Sequence, residues 1–206
     1  MAKRPKTDPT PEEQVRVLRG AVKLAPEELR LPDLLPMFAP ASFFEKGNWL
    51  GPSELLKIPG LGLTWSIAQP KQTMLYLSHS AAKHWEDSGI DWRQESMQNL
   101  DRITRPKFCT GGFAREGGKK DDWYALAFMH DDGYGPSRLL FWEELGEIFP
   151  AGYLIAIPEM SLGIALSRDA TREERAEIEE LVGSCYKDGT RPLIPGLHDS
   201  ALLVPR

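Results

Sequence analysis

The fold is decided by residues 137–167, which read SRLLFWEELGEIFPAGYLIAIPEMSLGIALS and contain one helical pattern followed by two apolar strand patterns. Gly135 and Pro136 come just before, a turn with a proline placed to open a helix. Three apolar residues then recur at helical spacing: Phe141, Leu145 and Ile148. The other side carries three acidic residues: Glu143, Glu144 and Glu147. The pattern predicts a helix that lies on a core.

Two short apolar runs follow this helix, at residues 153–157 and 162–166. Pro150 and Gly152 end the helix, and residues 158–161 separate the runs with a proline, a glutamate and a serine. Short apolar runs bounded by turn residues are typical of buried strands. We therefore expect a hairpin at the centre of a sheet.

The rest of the chain alternates strand and helix patterns around this unit. Strands are predicted at residues 61–68, 73–78, 108–113 and 123–129, where residues that favour β-structure are concentrated. Helices are predicted to begin near Ser80, Asp91 and Thr171, the last with a capping box. The sequence thus predicts an α+β fold, with a mainly antiparallel sheet, helices packed on it and an N-terminal helical extension.

Three parts of the chain are distinguished by composition. Residues 1–9 hold a small basic cluster and are predicted to be a disordered tail. Residues 10–60 begin with a helix over residues 10–24 and continue with a segment rich in proline and aromatic residues, predicted to wrap the core in short pieces that include a helical turn at 52–56. Residues 61–206 form the α+β domain, one compact unit with residues 10–60, and end in a strand at 201–204.

Composition and charge limit the classes of function that the chain can have. The 206 residues carry a net charge of -5 with a pI near 5.5, which argues against a phosphate backbone as the main partner. No apolar run is long enough to span a bilayer and no secretory signal is recognisable, so we expect a cytoplasmic protein. Cys109 and Cys185 lack metal spacing and are expected to be buried thiols. The sequence predicts no cofactor, and no metal site is expected apart from one alternative considered below for residues 130–132.

The most suggestive polar run lies between a predicted strand and the central helix, at residues 130–138. A helix start with a hydroxyl and a guanidinium is suited to holding a carboxylate or phosphate. The candidate binding residues are Asp132, Tyr134, Ser137 and Arg138. Two alternatives stay open: a metal site that uses His130 with the two aspartates, and a turn in which Ser137 serves the helix locally.

The remaining motifs carry no catalytic signature. His198, Asp199 and Ser200 are adjacent in the chain and have no strand-turn-helix elbow, so they do not match a catalytic triad. Spare aromatic residues before position 50 suggest a partner surface, of which the candidates are Phe43, Phe44 and Trp49. We therefore expect a non-enzymatic domain that binds another protein, as an adaptor or an immunity-type inhibitor. The alternative is an enzyme or small-ligand binder that holds an anion at the 132–138 turn.

The order of elements from residue 61 to residue 186 resembles the YtpQ-like family of uncharacterised bacterial proteins. The similarity is carried by the helix with Trp85, the run DGYGPSRLL at residues 132–140 and the segment YLIAIP at residues 153–158. The chain departs from that pattern after Pro158, where Glu159, Met160 and Ser161 stand in place of a charged pair. The resemblance implies a bacterial cytoplasmic α+β domain and assigns no activity or catalytic residue.

Overall fold

A computed structural model describes residues 29–45, 49–69, 73–115, 117 and 122–206. Within them the chain forms two antiparallel sheets and five helices. The first sheet contains β1 (Leu34–Pro40), β2 (Ser53–Leu55), β3 (Leu61–Gln69) and β4 (Thr73–Tyr76). The second contains β5 (Gly111–Ala114), β6 (Trp123–Phe128), β7 (Tyr153–Glu159), β8 (Leu162–Ser167) and β9 (His198–Asp199). The helices are α1 (Ser42–Glu45), α2 (His79–Asp87), α3 (Trp92–Thr104), α4 (Trp142–Ile148) and α5 (Arg172–Asp188).

The predicted hairpin forms the middle of the second sheet. Its strand order is β5-β6-β8-β7-β9, so β8 has two strands on each side. Every residue of β8 is buried, which explains why its sequence is apolar without alternation. The prediction of an α+β fold is confirmed, with the antiparallel strands divided between two sheets.

The first sheet is built around β3, which pairs with β1 along one edge and with β2 and β4 along the other. The prediction of short wrapping pieces is wrong for Leu34–Pro40, because β1 is a seven-residue strand with six buried residues. The strand contains Pro36 and Pro40. Both are tolerated because β1 is an edge strand, so the N–H that a proline lacks is not needed to pair with a neighbouring strand. The helical turn predicted at 52–56 is also wrong, because β2 occupies that place.

The helix predicted after Pro136 is divided in two. A 3-10 turn covers Pro136–Leu140, and α4 begins only at Trp142. The buried stripe is Phe141, Leu145 and Phe149, at spacings of four residues. Ile148, predicted to face the core, is 38% exposed because Phe149 takes the inward position.

The other three predicted helices are present with side-chain caps at their starts. The Ser78 hydroxyl accepts from the Ala81 N–H, and the Asp91 carboxylate accepts from the Gln94 N–H. Thr171 and Glu174 form the predicted capping box of α5. These caps satisfy N–H groups that the first turn of a helix leaves without partners.

The C-terminal segment connects the two sheets. Its predicted strand at 201–204 is wrong, since Ser200–Leu202 is a 3-10 turn and the strand β9 precedes it. Beyond this turn the Arg206 N–H donates to the Leu55 carbonyl, 2.8 Å away, so the chain returns to the first sheet. One apolar core extends across both sheets and includes Phe38, Trp65, Trp92, Phe128, Phe149 and Ile155.

The predicted tail at residues 1–9 and helix at residues 10–24 lie outside the described residues. Two strands from the N-terminal region, β1 and β2, pair with β3 in the first sheet. Among the described helices, none has the length and apolar character needed to cross a bilayer.

Candidate functional site

The predicted anion site lies where the second sheet meets the first, and its centre is Arg138. This guanidinium is fully buried at 0% exposure. One terminal nitrogen is 2.6 Å from the Asp132 carboxylate, and the other donates to the Tyr134 carbonyl at 3.0 Å. Both terminal nitrogens of Arg138 are thus engaged within the turn itself.

Asp132 is held in the charged form that this arrangement requires. Besides Arg138, its carboxylate accepts from the Tyr134 N–H at 2.8 Å. Burial by itself raises the pKa of Asp132, but the hydrogen bonds from Arg138 and Tyr134 outweigh it, so the pKa lies below its usual range. The side chain remains 33% exposed, so the ion pair has one face toward solvent.

Ser137 and Tyr134 reach the first sheet. The buried Ser137 hydroxyl donates to the Pro36 carbonyl of β1 at 2.7 Å, so it serves a distant strand and not its own turn. The Tyr134 hydroxyl lies 2.9 Å from the Ser66 hydroxyl of β3. Burial is the largest cause that raises the pKa of Tyr134 to about 12, so this hydroxyl stays protonated.

Gly135 shows how closely this turn packs. A Cβ on Gly135 would lie 2.4 Å from the Phe128 carbonyl oxygen and 2.8 Å from that of Ser161. Only a residue without a side chain lets the turn approach the ends of β6 and β8. The glycine that reads as a turn residue in the sequence is therefore a packing requirement.

His130 borders the turn and is held as a neutral ring. Its Nε2 is 2.9 Å from the Lys107 carbonyl, which assigns the proton to Nε2 because a carbonyl only accepts. Burial is the main cause that lowers the pKa of His130. Within the described part of the chain, no three residues of the types His, Cys, Asp and Glu are placed to hold a metal ion.

The four candidate residues are thus brought together, as the sequence predicts, but in contacts within the fold. Arg138 holds the turn closed through Asp132, while Tyr134 and Ser137 tie it to two strands of the first sheet. An anion would have to displace the Asp132 carboxylate to reach the Arg138 guanidinium. The arrangement works as a structural joint between the sheets.

The aromatic residues predicted as a partner surface lie on the first sheet. The rings of Phe44 and Trp49 meet edge to face at 5.0 Å, and Trp49 meets Tyr76 in the same way at 4.9 Å. Phe44 also lies over Gly62, where a Cβ would fall 2.4 Å from the ring. Phe44 and Trp49 are half-buried by these contacts, and Phe43 beside them is half-buried as well.

A second candidate contact surface was not predicted from the sequence: it is the exposed ring of Trp142, the Trp142 surface. This side chain is 67% exposed at the start of α4, and Met129 is 60% exposed. Each directly follows a phenylalanine, Phe128 or Phe141, whose ring packs against Phe108. The sequence offers no signal for the exposure of Trp142, because this residue lies three residues before Leu145, a spacing that also fits the buried face of a helix.

A small cavity of about 170 Å³ lies at the end of β8 and the start of α5. Two arginines line it, yet Arg168 pairs with Asp199 at 2.5 Å and Arg175 with Glu179 at 2.9 Å. Both guanidinium groups are thus neutralised by carboxylates of the same chain.

The two cysteines form no disulfide. Cys109 and Cys185 are free and half-buried, where full burial was expected, and burial raises the pKa of both thiols. A raised pKa keeps a thiol protonated and unreactive at neutral pH.

Comparisons of the chain with protein-family models, with curated proteins and with solved structures found no match.

Proposed function

We propose that this protein is a non-enzymatic domain that binds another protein, as a cytoplasmic adaptor or an immunity-type inhibitor. The observation that supports this most is the 67% exposure of Trp142. By contrast, Trp65, Trp85 and Trp92 are buried in the core, so exposure is not a general property of the tryptophans in this chain. Tryptophan is enriched at protein interfaces, where its large ring buries apolar area and its N–H can find a partner.

A partner gains binding free energy by covering Trp142. Tryptophan is enriched among the residues that dominate protein interfaces, and removing such a residue commonly costs about 2 kcal/mol or more of binding free energy. Met129 is a second exposed apolar side chain, and methionine adapts to varied partner shapes. The Trp142 surface can therefore act as the central contact of an interface.

The alternative of an anion-binding protein is less well supported. Its essential cation, Arg138, is fully buried and already paired with Asp132. The partner surface at Phe43, Phe44 and Trp49 remains a prediction, and the assay below tests it as a second region. Trp142 is preferred because its ring is mostly exposed, whereas the rings of Phe44 and Trp49 pack edge to face against each other.

The test is capture of a partner from native cells with the tagged full-length chain, at moderate salt and through a size-exclusion step. We expect a stoichiometric protein that is retained by the wild type and lost at least about tenfold with Trp142→Ala. Val204→Ala is the matched control, since it removes an apolar side chain that is 41% exposed elsewhere. Phe43→Ala tests the other surface in the same assay.

The proposal would be abandoned if Trp142→Ala retained the same protein at the same level as the wild type. It would equally be abandoned if the wild type eluted without any stoichiometric protein. Thermal unfolding of each variant checks that a loss of binding is not a loss of the fold, and we expect Trp142→Ala to unfold within a few degrees of the wild type.

A further inference from the structure

We propose that His130 is an acid-sensitive switch in the joint between the two sheets: protonation of its ring releases the turn at residues 130–138 from the segment that follows α3. His130 opens this turn, two positions after β6 ends at Phe128. Its Nε2 donates to the Lys107 carbonyl at 2.9 Å, and the Lys107 N–H donates to the Thr104 carbonyl at the end of α3, also at 2.9 Å. The imidazole therefore connects the end of β6 with the end of α3.

This connection bridges the two sheets because α3 packs on the first one. The side-chain amide of Asn99 in α3 donates to the Leu34 carbonyl of β1, 3.1 Å away. The next residue of the helix, Leu100, is fully buried in an apolar cluster that also contains Met37 of β1 and Tyr134 of the turn. A loss of the imidazole contact thus frees one side of the turn from the helix that covers the first sheet.

The surroundings of His130 favour the neutral ring. Its second ring nitrogen, Nδ1, is buried and has no hydrogen-bond partner in the described part of the chain, so a proton there would have no acceptor. Burial is the largest cause that lowers the pKa of this ring, and the nearby charges of Arg138 and Lys107 act in the same direction. Asp132 attracts a charged ring but already pairs with Arg138, and the adjacent Asp131 is exposed.

The direction of the switch follows from the proton affinity of the ring in the two states. With the turn in place, the pKa of His130 lies below its ordinary value of about 6.5, which the ring regains when it moves into water. The released state therefore binds a proton more tightly, and release becomes more favourable as the pH falls below about 6.5. For one proton, the equilibrium constant for release rises by at most about tenfold per pH unit. It levels off below the pKa of the held ring, where both states are protonated.

The first measurement follows the His130 ring of the wild-type chain by NMR, with the ring assigned through its own backbone resonances. We expect the nitrogen shifts of a ring protonated at Nε2 and a titration midpoint below about 6.5. A ring protonated at Nδ1 at neutral pH, or a midpoint of about 6.5 or higher, overturns the proposal. No substitution is involved, so the result holds even if a change at His130 prevents folding.

The second measurement is hydrogen exchange of the full-length chain at pH 7.5 and pH 5.5, with each rate divided by the intrinsic rate at that pH. The reporting amides are those of Met129, which donates to the Thr110 hydroxyl at 2.8 Å, and of Tyr134, which donates to the Asp132 carboxylate at 2.8 Å. Asp132 stays ionised at both pH values because its pKa lies below its usual range. We expect both amides to lose about threefold to tenfold of their protection at pH 5.5, while amides in the middle of α5 keep theirs. An equal loss in α5 would indicate general unfolding in acid and overturns the proposal.

His130→Gln tests whether this residue is the cause, since glutamine keeps an N–H that can donate to the Lys107 carbonyl and does not titrate. We expect the Met129 and Tyr134 amides of this variant to be equally protected at the two pH values. His84→Gln is the matched control, because His84 is an exposed histidine of α2, and we expect it to lose protection in acid as the wild type does. The proposal is refuted if His130→Gln keeps the acid-induced loss or if His84→Gln abolishes it.

Discussion

Replacing Asp132 with asparagine removes the carboxylate that neutralises Arg138 while it keeps the size of the side chain. In the folded protein the carboxylate lies 2.6 Å from one terminal nitrogen of Arg138 and 3.3 Å from the other. The guanidinium is fully buried and has no second carboxylate in an ion pair within the described residues. Asp132→Asn therefore leaves a buried positive charge without its counter-charge.

The expected loss follows from the exposure of the two groups. Removing one partner of a fully buried ion pair costs about 3–5 kcal/mol. Since 33% of the Asp132 side chain reaches solvent, water compensates part of the loss, and we expect about 2–3 kcal/mol at pH 7. The pKa of Asp132 is lower in the folded chain than in the unfolded chain. The ionised Asp132 therefore stabilises the fold fully above the pKa that this residue has in the unfolded chain. This stabilisation disappears as the pH falls through the lower pKa of the folded chain, below about pH 4.

Urea denaturation followed by tryptophan fluorescence measures this difference, at pH 7 and again near pH 3. The free energy of unfolding of Asp132→Asn should lie below that of the wild type at pH 7, and the gap should narrow in acid. Asp131→Asn serves as the control, because Asp131 is exposed and forms no ion pair within the described residues, and we expect a change within about 0.5 kcal/mol. An Asp132→Asn protein as stable as the wild type at pH 7, or equally destabilised at both pH values, would refute the role assigned to this pair.

Three further substitutions test the packing around the site by the same denaturation measurement. Ser137→Ala should cost about 1–3 kcal/mol because it leaves the buried Pro36 carbonyl without a donor, and a neutral result would show that this bond does not hold the sheets together. Gly135→Ala should cost more than about 3 kcal/mol or prevent folding, whereas Gly146→Ala, in open space on a helix, should stabilise by up to about 1 kcal/mol; equal effects would contradict the packing described for the turn. Thr171→Ala should cost about 1 kcal/mol by loss of the α5 cap, and Thr171→Ser should largely restore it.

The elements that sequence reasoning predicted well are those whose signals are local. The α5 capping box depends on two residues three positions apart, and the apolar runs of β7 and β8 identify themselves by composition. By contrast, β1 contains two prolines and reads as irregular chain. Its strand geometry comes from the long pairing with β3, which no local pattern encodes.

The candidate site likewise has a part that local sequence signals predict and a part that depends on distant residues. The sequence identified Asp132, Tyr134, Ser137 and Arg138 as a group, because a turn before a helix brings neighbouring residues together. It did not indicate that the groups face inward, since their partners Pro36 and Ser66 are about 100 and 70 residues away. The exposure of Trp142 was not predicted either, because an apolar residue in an apolar stretch is expected to lie in the core.

By itself, then, the sequence determined the α+β class, the central hairpin, three helices, two of them with their caps, and the acidic character of the chain, because each depends on residue type and short spacing. Only the tertiary structure decided that the strands form two sheets, that Arg138 is buried against Asp132 and that Trp142 remains in solvent. Burial is a property of the whole fold: the same side chain is core or surface according to which distant segments pack on it.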